Sequence, residues 1–261
     1  MKRTPITPNI YEYPQLLWDY LVDCDLYDSS CSPEAKVLFA DKEGGYYIKS
    51  SPRGTLEKEA LLTDYFHQKG LATEVLALIH KERDYMVTRA VKGEDCIFAP
   101  YLDDPKRLCR VLAQCMRLLH SVNAKDCPVK DRKKTYSDTV FENYNKGVFD
   151  PLGFTERGSL VMRDEAFRYF WDNRSALEAD TLVHGDFCLP NIMLDNWNFS
   201  AFIDLGNGGV FDKHVDIFWC IWTLWFNLKT KEYTDYFLDA YGREDVDHER
   251  LFLIECAEAF G

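Results

Sequence analysis

Three polar side chains interrupt an apolar stretch between residues 182 and 206, LVHGDFCLPNIMLDNWNFSAFIDLG. They are Asp186, Asn191 and Asp204, and the residues around them are apolar and strand-like. A partly buried carboxylate without a Lys or Arg nearby in sequence is costly unless a cation or a substrate proton compensates its charge. The segment is therefore a candidate site for holding a metal ion or for moving a proton.

Phosphoryl transfer gives each of these groups a task. One carboxylate can accept the proton of an attacking hydroxyl, while an amide oxygen and a second carboxylate hold Mg²⁺ on the nucleotide phosphates. We therefore predict Asp186 as the catalytic base, with Asn191 and Asp204 as metal ligands. The alternative is structural: a turn cap, a loop residue and a strand end. The pattern H-G-D-x4-N favours the catalytic interpretation because chance rarely produces it.

The composition is that of a folded protein with an acidic surface. The chain has 261 residues, 46% hydrophobic and 28% charged, enough for one large domain or two small ones packed together. Its 43 acidic residues outnumber 31 Lys and Arg, which gives a net charge of -12. Such a field repels phosphate backbones and anionic lipid, so we expect no nucleic-acid partner.

The cysteines and the apolar stretches favour a cytoplasmic protein that does not enter a membrane. Nine cysteines are scattered without a C-x-x-C pair, a pattern typical of reduced thiols. The N-terminus lacks the apolar segment of a secretory signal. The longest apolar stretch, 215–228, has about 14 residues and contains Asp216, whereas a membrane helix needs roughly 20. We predict that it forms a buried core helix.

The region before residue 93 has the patterns of a small β-rich lobe. Two apolar runs around the turn DKEGG (41–45) predict a hairpin over 35–50. A helix is predicted from Thr55, as N-cap, to Lys69, with Gly70 just past its end. Two more strands are predicted, at residues 74–80 and 84–89.

Beyond residue 93 the pattern becomes helical. Asp104-Pro105 predicts a helix start, and Leu108, Leu112, Cys115 and Leu119 then recur on one face as far as His120. Further helices are predicted at 163–178, 213–228, 231–241 and 246–259, whereas 126–160 has no clear period. The helical spacing of one aromatic run predicts core residues: Phe218, Trp219, Trp222, Trp225 and Phe226. We therefore expect an α+β, bilobal protein with an N-terminal nucleotide-binding lobe (1–92) and a larger C-terminal lobe (93–261).

The pattern H-G-D-x4-N followed by I-D-x-G resembles the aminoglycoside phosphotransferase and choline kinase superfamily, whose fold is that of the protein kinases. The phrases SPEAKV (32–37), LLHSVNAKDCP (118–128) and FIDLGNGGVFDKHVDI (202–217) look most like its 3'-phosphotransferase branch, the kanamycin and neomycin kinases of resistant bacteria. The resemblance covers the chain from about residue 25 onward. It implies an ATP- and Mg²⁺-dependent kinase, with GTP as an alternative donor, acting on the 3'-hydroxyl of an aminoglycoside and conferring antibiotic resistance. A monomer or weak dimer is expected.

The same resemblance implies a nucleotide site in the first lobe. Lys49, at the end of the strand YYIK, matches the lysine that contacts the α- and β-phosphates. Glu59 matches the acid that pairs with this lysine, although Glu57 is close enough to leave the choice open. Tyr47, two residues before Lys49, matches an aromatic that stacks on adenine. A solvated strand lysine and a core tyrosine are the alternatives.

Other nucleotide contacts and two supporting residues also follow from the resemblance. Ala90, in VTRAV (87–91), matches a backbone contact to the adenine edge, and Ser32 is a candidate donor in the phosphate-covering loop. His184 is expected to orient the catalytic loop by hydrogen bonding. Asp216 matches an aspartate that supports this loop.

The acceptor site is predicted near the C-terminus. Acidic residues strongly outnumber basic ones between 235 and 258, and a cleft of carboxylates would hold the ammonium groups of a polyamine sugar. In the resembled branch the last helix and a terminal aromatic form this cleft, which implies Glu255, Glu258 and Phe260. Glu156 is a further candidate. A solvated acidic helix face is the alternative.

Two departures from the branch keep other acceptors open. The chain ends IECAEAFG, where the branch has L-L-D-E and two large apolar residues, and Asn207 stands where arginine is common. One alternative is a kinase of an amino-alcohol or sugar metabolite. A catalytically dead, kinase-like binding module is another, disfavoured because Lys49, Asp186, Asn191 and Asp204 are all present.

Overall fold

The computed structural model describes residues 3–31, 35–150 and 162–261. Ser32 and Glu156, which were predicted as site residues, lie outside these ranges. A β-sheet dominates the N-terminal region and helices dominate the rest, so the predicted α+β class is confirmed. The division into lobes at residue 92 stays a prediction.

The larger sheet has six antiparallel strands in the order β1-β2-β3-β4-β6-β5. The strands are β1 (Thr4–Ile6), β2 (Asp25–Asp28), β3 (Lys36–Asp41), β4 (Tyr46–Pro52), β5 (Val75–His80) and β6 (Arg83–Arg89). The predicted hairpin is the β3–β4 pair, and the next two predicted strands are β5 and β6. A short helix, α1 (Trp18–Leu21), precedes β2.

The register of β3 against β4 decides which side chains face the site. Tyr47 lies opposite Phe39, and Lys49 lies opposite Val37. Successive residues of a strand point to opposite faces, so Tyr47 and Lys49 share one face while Tyr46 and Ile48 point to the other. Tyr46 and Ile48 are buried in an apolar cluster with α1. The face that carries Lys49 is thus left for the site.

Helix α2 (Glu57–Gln68) is the helix predicted after the hairpin, but its cap differs from the prediction. The Thr55 hydroxyl donates to the Pro52 carbonyl and does not cap the helix. No side chain caps α2; Asp84, a fully buried residue of β6, instead holds the segment before the helix, because its Oδ2 accepts from the N–H groups of Gly54 (2.8 Å) and Leu56 (3.2 Å). A contact from a distant strand leaves no local sequence signal.

The helical part contains the predicted helices and two that were missed. Its helices are α3 (Ala99–Leu102), α4 (Pro105–His120), α5 (Arg132–Lys146), α6 (Arg163–Asn173), α7 (His214–Leu228), α8 (Tyr233–Tyr241) and α9 (His248–Glu258). The missed helices are α3 and α5; α5 was missed because its sequence is polar and buries only Tyr136 and Val140. The apolar face predicted for α4 is buried, and Asp104 caps that helix by accepting from the Arg107 N–H. Among the residues described, no helix is both long and apolar enough to cross a membrane.

Five short strands position the polar residues of the 182–206 segment. Strand β8 (Thr181–Val183) pairs with β11 (Gly209–Phe211), and β9 (Ile192–Asp195) pairs with β10 (Asn198–Phe202) and with β7 (Glu94–Asp95). The loop 184–191 therefore runs from the end of β8 to the start of β9, and Asp204 follows the end of β10. The strand ends bring Asp186, Asn191 and Asp204 to one place.

Candidate active site

The loop that carries Asp186 is held by hydrogen bonds to a buried carboxylate on α7. Asp216 is fully buried, and its two oxygens accept from the N–H groups of His184 (2.9 Å) and Gly185 (2.8 Å). His120 Nε2 lies 3.1 Å from Asp216 Oδ2, and Tyr241 lies beyond it, 2.9 Å from His120 Nδ1. This network satisfies the backbone N–H groups of the loop and holds it rigidly.

His184 ties the same loop to the segment that carries Asp204. Its Nδ1 accepts from the Asp186 N–H (3.3 Å), so its Nε2 is the atom that donates to the Ile203 carbonyl (3.0 Å). The Asn191 carbonyl in turn accepts from the Ile203 N–H at 3.0 Å. His184 and Asp216 thus both hydrogen-bond to the backbone of the loop, and their supporting role in catalysis stays a prediction.

A close backbone approach makes Gly185 necessary in the H-G-D motif. Gly185 has φ +80°, in the left-handed region where other residues are rarely found. A Cβ at this position would also collide with the Asn207 carbonyl, well inside van der Waals contact. The loop of Asp186 and the segment after Asp204 therefore touch through their backbones.

Asp186 and Asn191 contact each other directly. Asn191 Nδ2 donates to Asp186 Oδ2 at 2.9 Å and to the Asp186 carbonyl at 3.1 Å. This leaves the second carboxylate oxygen of Asp186 for a proton and the Asn191 amide oxygen for a cation. Cys188 lies nearby, but burial and then the charge of Asp186 raise the pKa of its thiol, so it is not an activated nucleophile.

Lys49 joins the sheet to the segment of Asp204. Its ammonium lies 2.8 Å from Glu59 Oε2 and 2.7 Å from Asp204 Oδ1, and Glu59 rather than Glu57 is the partner on α2. Burial opposes the charge of Lys49, but Asp204 and Glu59 outweigh it and raise the pKa of the lysine. Lys49 is therefore held as a cation where a nucleotide phosphate would need one.

Asp204 stands in a conformation that points to a functional role. Its φ is +60°, a left-handed value uncommon for residues other than glycine, and its side chain is 53% exposed. Among the residues described, no group of three or more His, Cys, Asp or Glu side chains could hold a metal ion. One carboxylate and one amide oxygen nevertheless fit Mg²⁺, which takes few protein ligands and completes its shell with phosphates and water.

The residues predicted to contact adenine are grouped on the sheet face next to Lys49. Tyr47 is half-buried, and its ring lies 5.1 Å from that of Phe39. Arg3 lies over Phe39, 3.5 Å from its centroid, and donates to the Tyr47 hydroxyl at 2.8 Å. The Ala90 N–H donates to the Gly45 carbonyl (2.9 Å), so a base contact at Ala90 would have to use its carbonyl oxygen.

Glu258 is the acceptor candidate that the structure places beside the catalytic loop. Its carboxylate accepts from the Tyr136 hydroxyl at 2.7 Å. Burial raises the pKa of Glu258 to about 7; hydrogen bonds from Tyr136 and Trp219 and the charge of Arg132 oppose the rise, and the charge of Asp186 adds to it. Glu258 thus lies within electrostatic reach of the predicted base.

Two other predicted acceptor residues are buried away from the loop, and their acceptor roles stay predictions. Glu255 lines a cavity of about 370 Å³ between α7, α8 and α9 together with Ile221 and Trp225, on the side of α7 away from Asp216. Phe260 is fully buried, with its ring centroid 5.5 Å from that of Phe149.

Sequence reasoning missed three residues of this site. Tyr136 and Arg132 lie on α5, a helix that was not predicted, and Arg132 Nε donates to the Asn207 carbonyl at 2.9 Å. His120 was predicted only as the end of helix α4. Its place in the phrase LLHSVNAKDCP was the one signal that could have connected it to the site.

Comparisons with known proteins point to one family. A model of the phosphotransferase enzyme family matches residues 30–252. A probable aminoglycoside 3'-phosphotransferase of Lactococcus lactis subsp. lactis (strain IL1403) is 44% identical over 254 residues, which is 97% of each chain. An aminoglycoside 3'-phosphotransferase of Streptomyces fradiae is 27% identical over 234 residues, covering 82% of this chain and 85% of the relative.

Solved structures share the fold at lower identity. The crystal structure of an aminoglycoside-3'-phosphotransferase of type VIII has a TM-score of 0.76 at 21% identity and covers 96% of each chain. The aminoglycoside phosphotransferase APH(3'')-Id from Streptomyces rimosus ATCC10970, in complex with ADP and streptomycin, has a TM-score of 0.76 at 18% identity, covering 97% of this chain and 99% of that one. These structures support the predicted kinase-like fold.

Proposed function

Since the chain belongs to the phosphotransferase enzyme family, we propose that it transfers the γ-phosphoryl group of ATP to the 3'-hydroxyl of an aminoglycoside. The observation that carries the proposal is the ion pair between Lys49 of β4 and Asp204 after β10, together with the hydrogen bond between Asn191 and Asp186. The 44% identity to a probable aminoglycoside 3'-phosphotransferase supports the acceptor class.

Asp186 is the group that receives the acceptor proton in this proposal. As the acceptor oxygen bonds to the γ-phosphorus and the bond to ADP breaks, the hydroxyl proton passes to the carboxylate oxygen that Asn191 leaves free. The Asn191 amide fixes the carboxylate, and the backbone bonds to Asp216 fix the loop. The chain thus mainly positions the reactants.

Lys49, Asn191 and Asp204 are the groups that we assign to the nucleotide. Lys49 would meet the α- and β-phosphates, as its raised pKa allows. Asn191 and Asp204 would hold Mg²⁺, which, when bound, neutralises charge on the transferred phosphoryl group. In the absence of nucleotide, Lys49 keeps Asp204 paired and in place.

Glu258 is assigned to an ammonium group of the acceptor, because it is the carboxylate of α9 that lies near Asp186. Aminoglycoside resistance would follow from this activity. A cytoplasmic location is also proposed, since the cysteines of the described residues form no disulfide bond.

A panel of acceptors tests the proposal. Kanamycin and neomycin should consume ATP and yield a phosphate ester that ³¹P and ¹H NMR locate at the 3'-oxygen. An aminoglycoside that lacks the 3'-hydroxyl should bind without turnover at that position and serves as the matched control. Activity on choline or a simple sugar, with no aminoglycoside turned over, would instead support a metabolite kinase.

A further inference from the structure

Three aromatic side chains of α7 form a continuous partly exposed surface, which we call the aromatic stripe: Trp219, Trp222 and Phe226. The Trp219 and Trp222 rings are 5.5 Å apart edge to face, and the Trp222 and Phe226 rings are stacked at 5.0 Å with an interplanar angle of 8°. Phe226 is 49% exposed, whereas Phe218 is buried. Phe218 thus lies in the core as predicted, and Trp219 and Trp222 pack against the same core cluster while staying partly exposed; Phe226 is the exposed member.

The aromatic stripe lies on the side of α7 next to the one that holds the catalytic loop. On that side, Asp216 binds the loop N–H groups, and Thr223 Oγ1 accepts from the Leu189 N–H at 3.3 Å. Trp219 precedes Thr223 by four residues and Phe226 follows it by three, so all three side chains are neighbours on the helix surface. The aromatic stripe therefore borders the loop of Asp186.

Glu258 connects the inner end of the aromatic stripe to the catalytic base. The Trp219 indole hydrogen-bonds to the Glu258 carboxylate, which lies within electrostatic reach of Asp186. An acceptor whose hydroxyl reaches Asp186 would thus meet Glu258 and Trp219 first and extend outward over Trp222 and Phe226.

An ammonium group already lies on the outer end of the aromatic stripe. Lys229 Nζ is 4.2 Å from the centroid of the Phe226 ring, within the range of a cation–π contact. Among the residues described on α9, Glu255 lines the cavity on the other side of α7, which leaves Glu258 as the carboxylate near Asp186. Aromatic faces add attraction for a polycationic acceptor, since they bind cations without a buried negative charge.

We propose that the aromatic stripe determines acceptor specificity by binding ammonium groups of the acceptor through cation–π contacts, outward from Glu258. This inference rests on the proposed function for the acceptor class. It assigns cation recognition to Trp222 and Phe226, with Trp219 as the residue that links them to Glu258.

The test compares two truncations with a matched control on the same helix. Trp222→Leu and Phe226→Leu remove rings of the aromatic stripe, whereas Trp225→Leu removes a ring that lines the cavity on the other side of α7. Each of the first two should raise KM for kanamycin about three- to tenfold, with kcat and KM for ATP unchanged, because the contact is shared by ground and transition states. Trp225→Leu and Phe226→Tyr should keep KM for kanamycin close to that of the parent. Circular dichroism checks that each variant is folded.

Calorimetric titration with kanamycin, without ATP, separates this inference from the proposed function. If the parent binds kanamycin without turning it over, and the two Leu variants bind it more weakly, the proposed function is contradicted but the binding role of the aromatic stripe is supported. If folded Trp222→Leu and Phe226→Leu turn kanamycin over with unchanged KM and Kd, only the binding role of the aromatic stripe is overturned. That role is also overturned if Trp225→Leu weakens binding equally, or if the parent protein does not bind kanamycin.

Discussion

The phosphoryl-transfer centre and the acceptor side of this site are built differently. Around Asp186 and Asp204, buried hydrogen bonds from Asp216 and His184 fix the backbone itself. On the proposed acceptor side, the groups are side chains: Glu258 on α9 and the aromatic stripe on α7. In the proposed function the chemistry would thus be fixed by the main chain, whereas acceptor choice would depend on side chains that can change without moving it.

The largest effect is expected where the main chain of the centre is held. Asp216→Ala leaves two buried N–H groups and His120 without their acceptor, which should cost about 3 to 5 kcal/mol of unfolding free energy. Chemical denaturation measures this loss. A stability equal to that of the parent would mean that Asp216 does not fix the loop of Asp186.

Loss of the base should stop the reaction without disturbing the fold. Asp186→Asn keeps the shape of the side chain but cannot accept the proton, so kcat should fall by about 10²-fold or more while Mg-ATP affinity stays the same. Steady-state kinetics and calorimetry check both parts. Turnover near the parent rate would exclude Asp186 as the base.

Loss of Asp204 should act on the nucleotide instead. Asp204→Ala removes a proposed ligand of Mg²⁺ and leaves Lys49 with Glu59 alone, so Mg-ATP affinity should fall by at least about tenfold. Binding of ATP with EDTA in place of Mg²⁺ is the control and should change less. Equal affinity for Mg-ATP before and after the substitution would contradict the assignment.

The smallest effect concerns Glu258 and depends on pH. Because the pKa of Glu258 is raised from 4.5 to about 7, ionisation weakens the fold, and stability should fall as pH rises from about 4.5 to about 7. In Glu258→Gln this part of the pH dependence should disappear, a difference of about 1 to 2 kcal/mol given the partial exposure of the side chain. Denaturation of both proteins at pH 5 and pH 8 measures it. Parallel pH profiles would show that Glu258 titrates normally.

Glu258→Gln also tests whether Glu258 binds the acceptor. Glu258 must be ionised to attract an ammonium group, so the parent KM for the acceptor should fall as pH rises toward about 7. Glu258→Gln should raise KM more than it lowers kcat. A loss confined to kcat would place Glu258 with the centre instead.

Sequence reasoning could name the residues of the proposed centre because they lie within one short segment and one strand. Asp186, Asn191 and Lys49 follow local patterns that strand alternation and motif spacing express directly. The bonds from the Leu56 N–H to Asp84 and from His120 to Asp216 join residues far apart in the chain, so no local period records them.

The acceptor side could not be predicted in the same way. Helix α5 was hidden by its polar surface, so Tyr136 and Arg132 were not expected near Glu258. The spacing of acidic residues on α9 predicted a charged helix but not where each carboxylate points. The packing of α9 on α7 turns Glu255 toward the cavity on the side of α7 away from Asp216. Which face a helix presents is decided by tertiary packing.

The contact of Gly185 with the Asn207 carbonyl has a consequence for how this enzyme could evolve. No larger residue fits at Gly185, because its Cβ would collide with the Asn207 carbonyl. A single substitution at this position would therefore push the two loops apart. The exposed Phe226 is under no such constraint. Laboratory selection for activity on new acceptors should therefore yield substitutions along α7 and α9, whereas variants with a substitution at Gly185 should be lost from the selected population. Substrate range can thus change while the two loops around Gly185 keep their sequence.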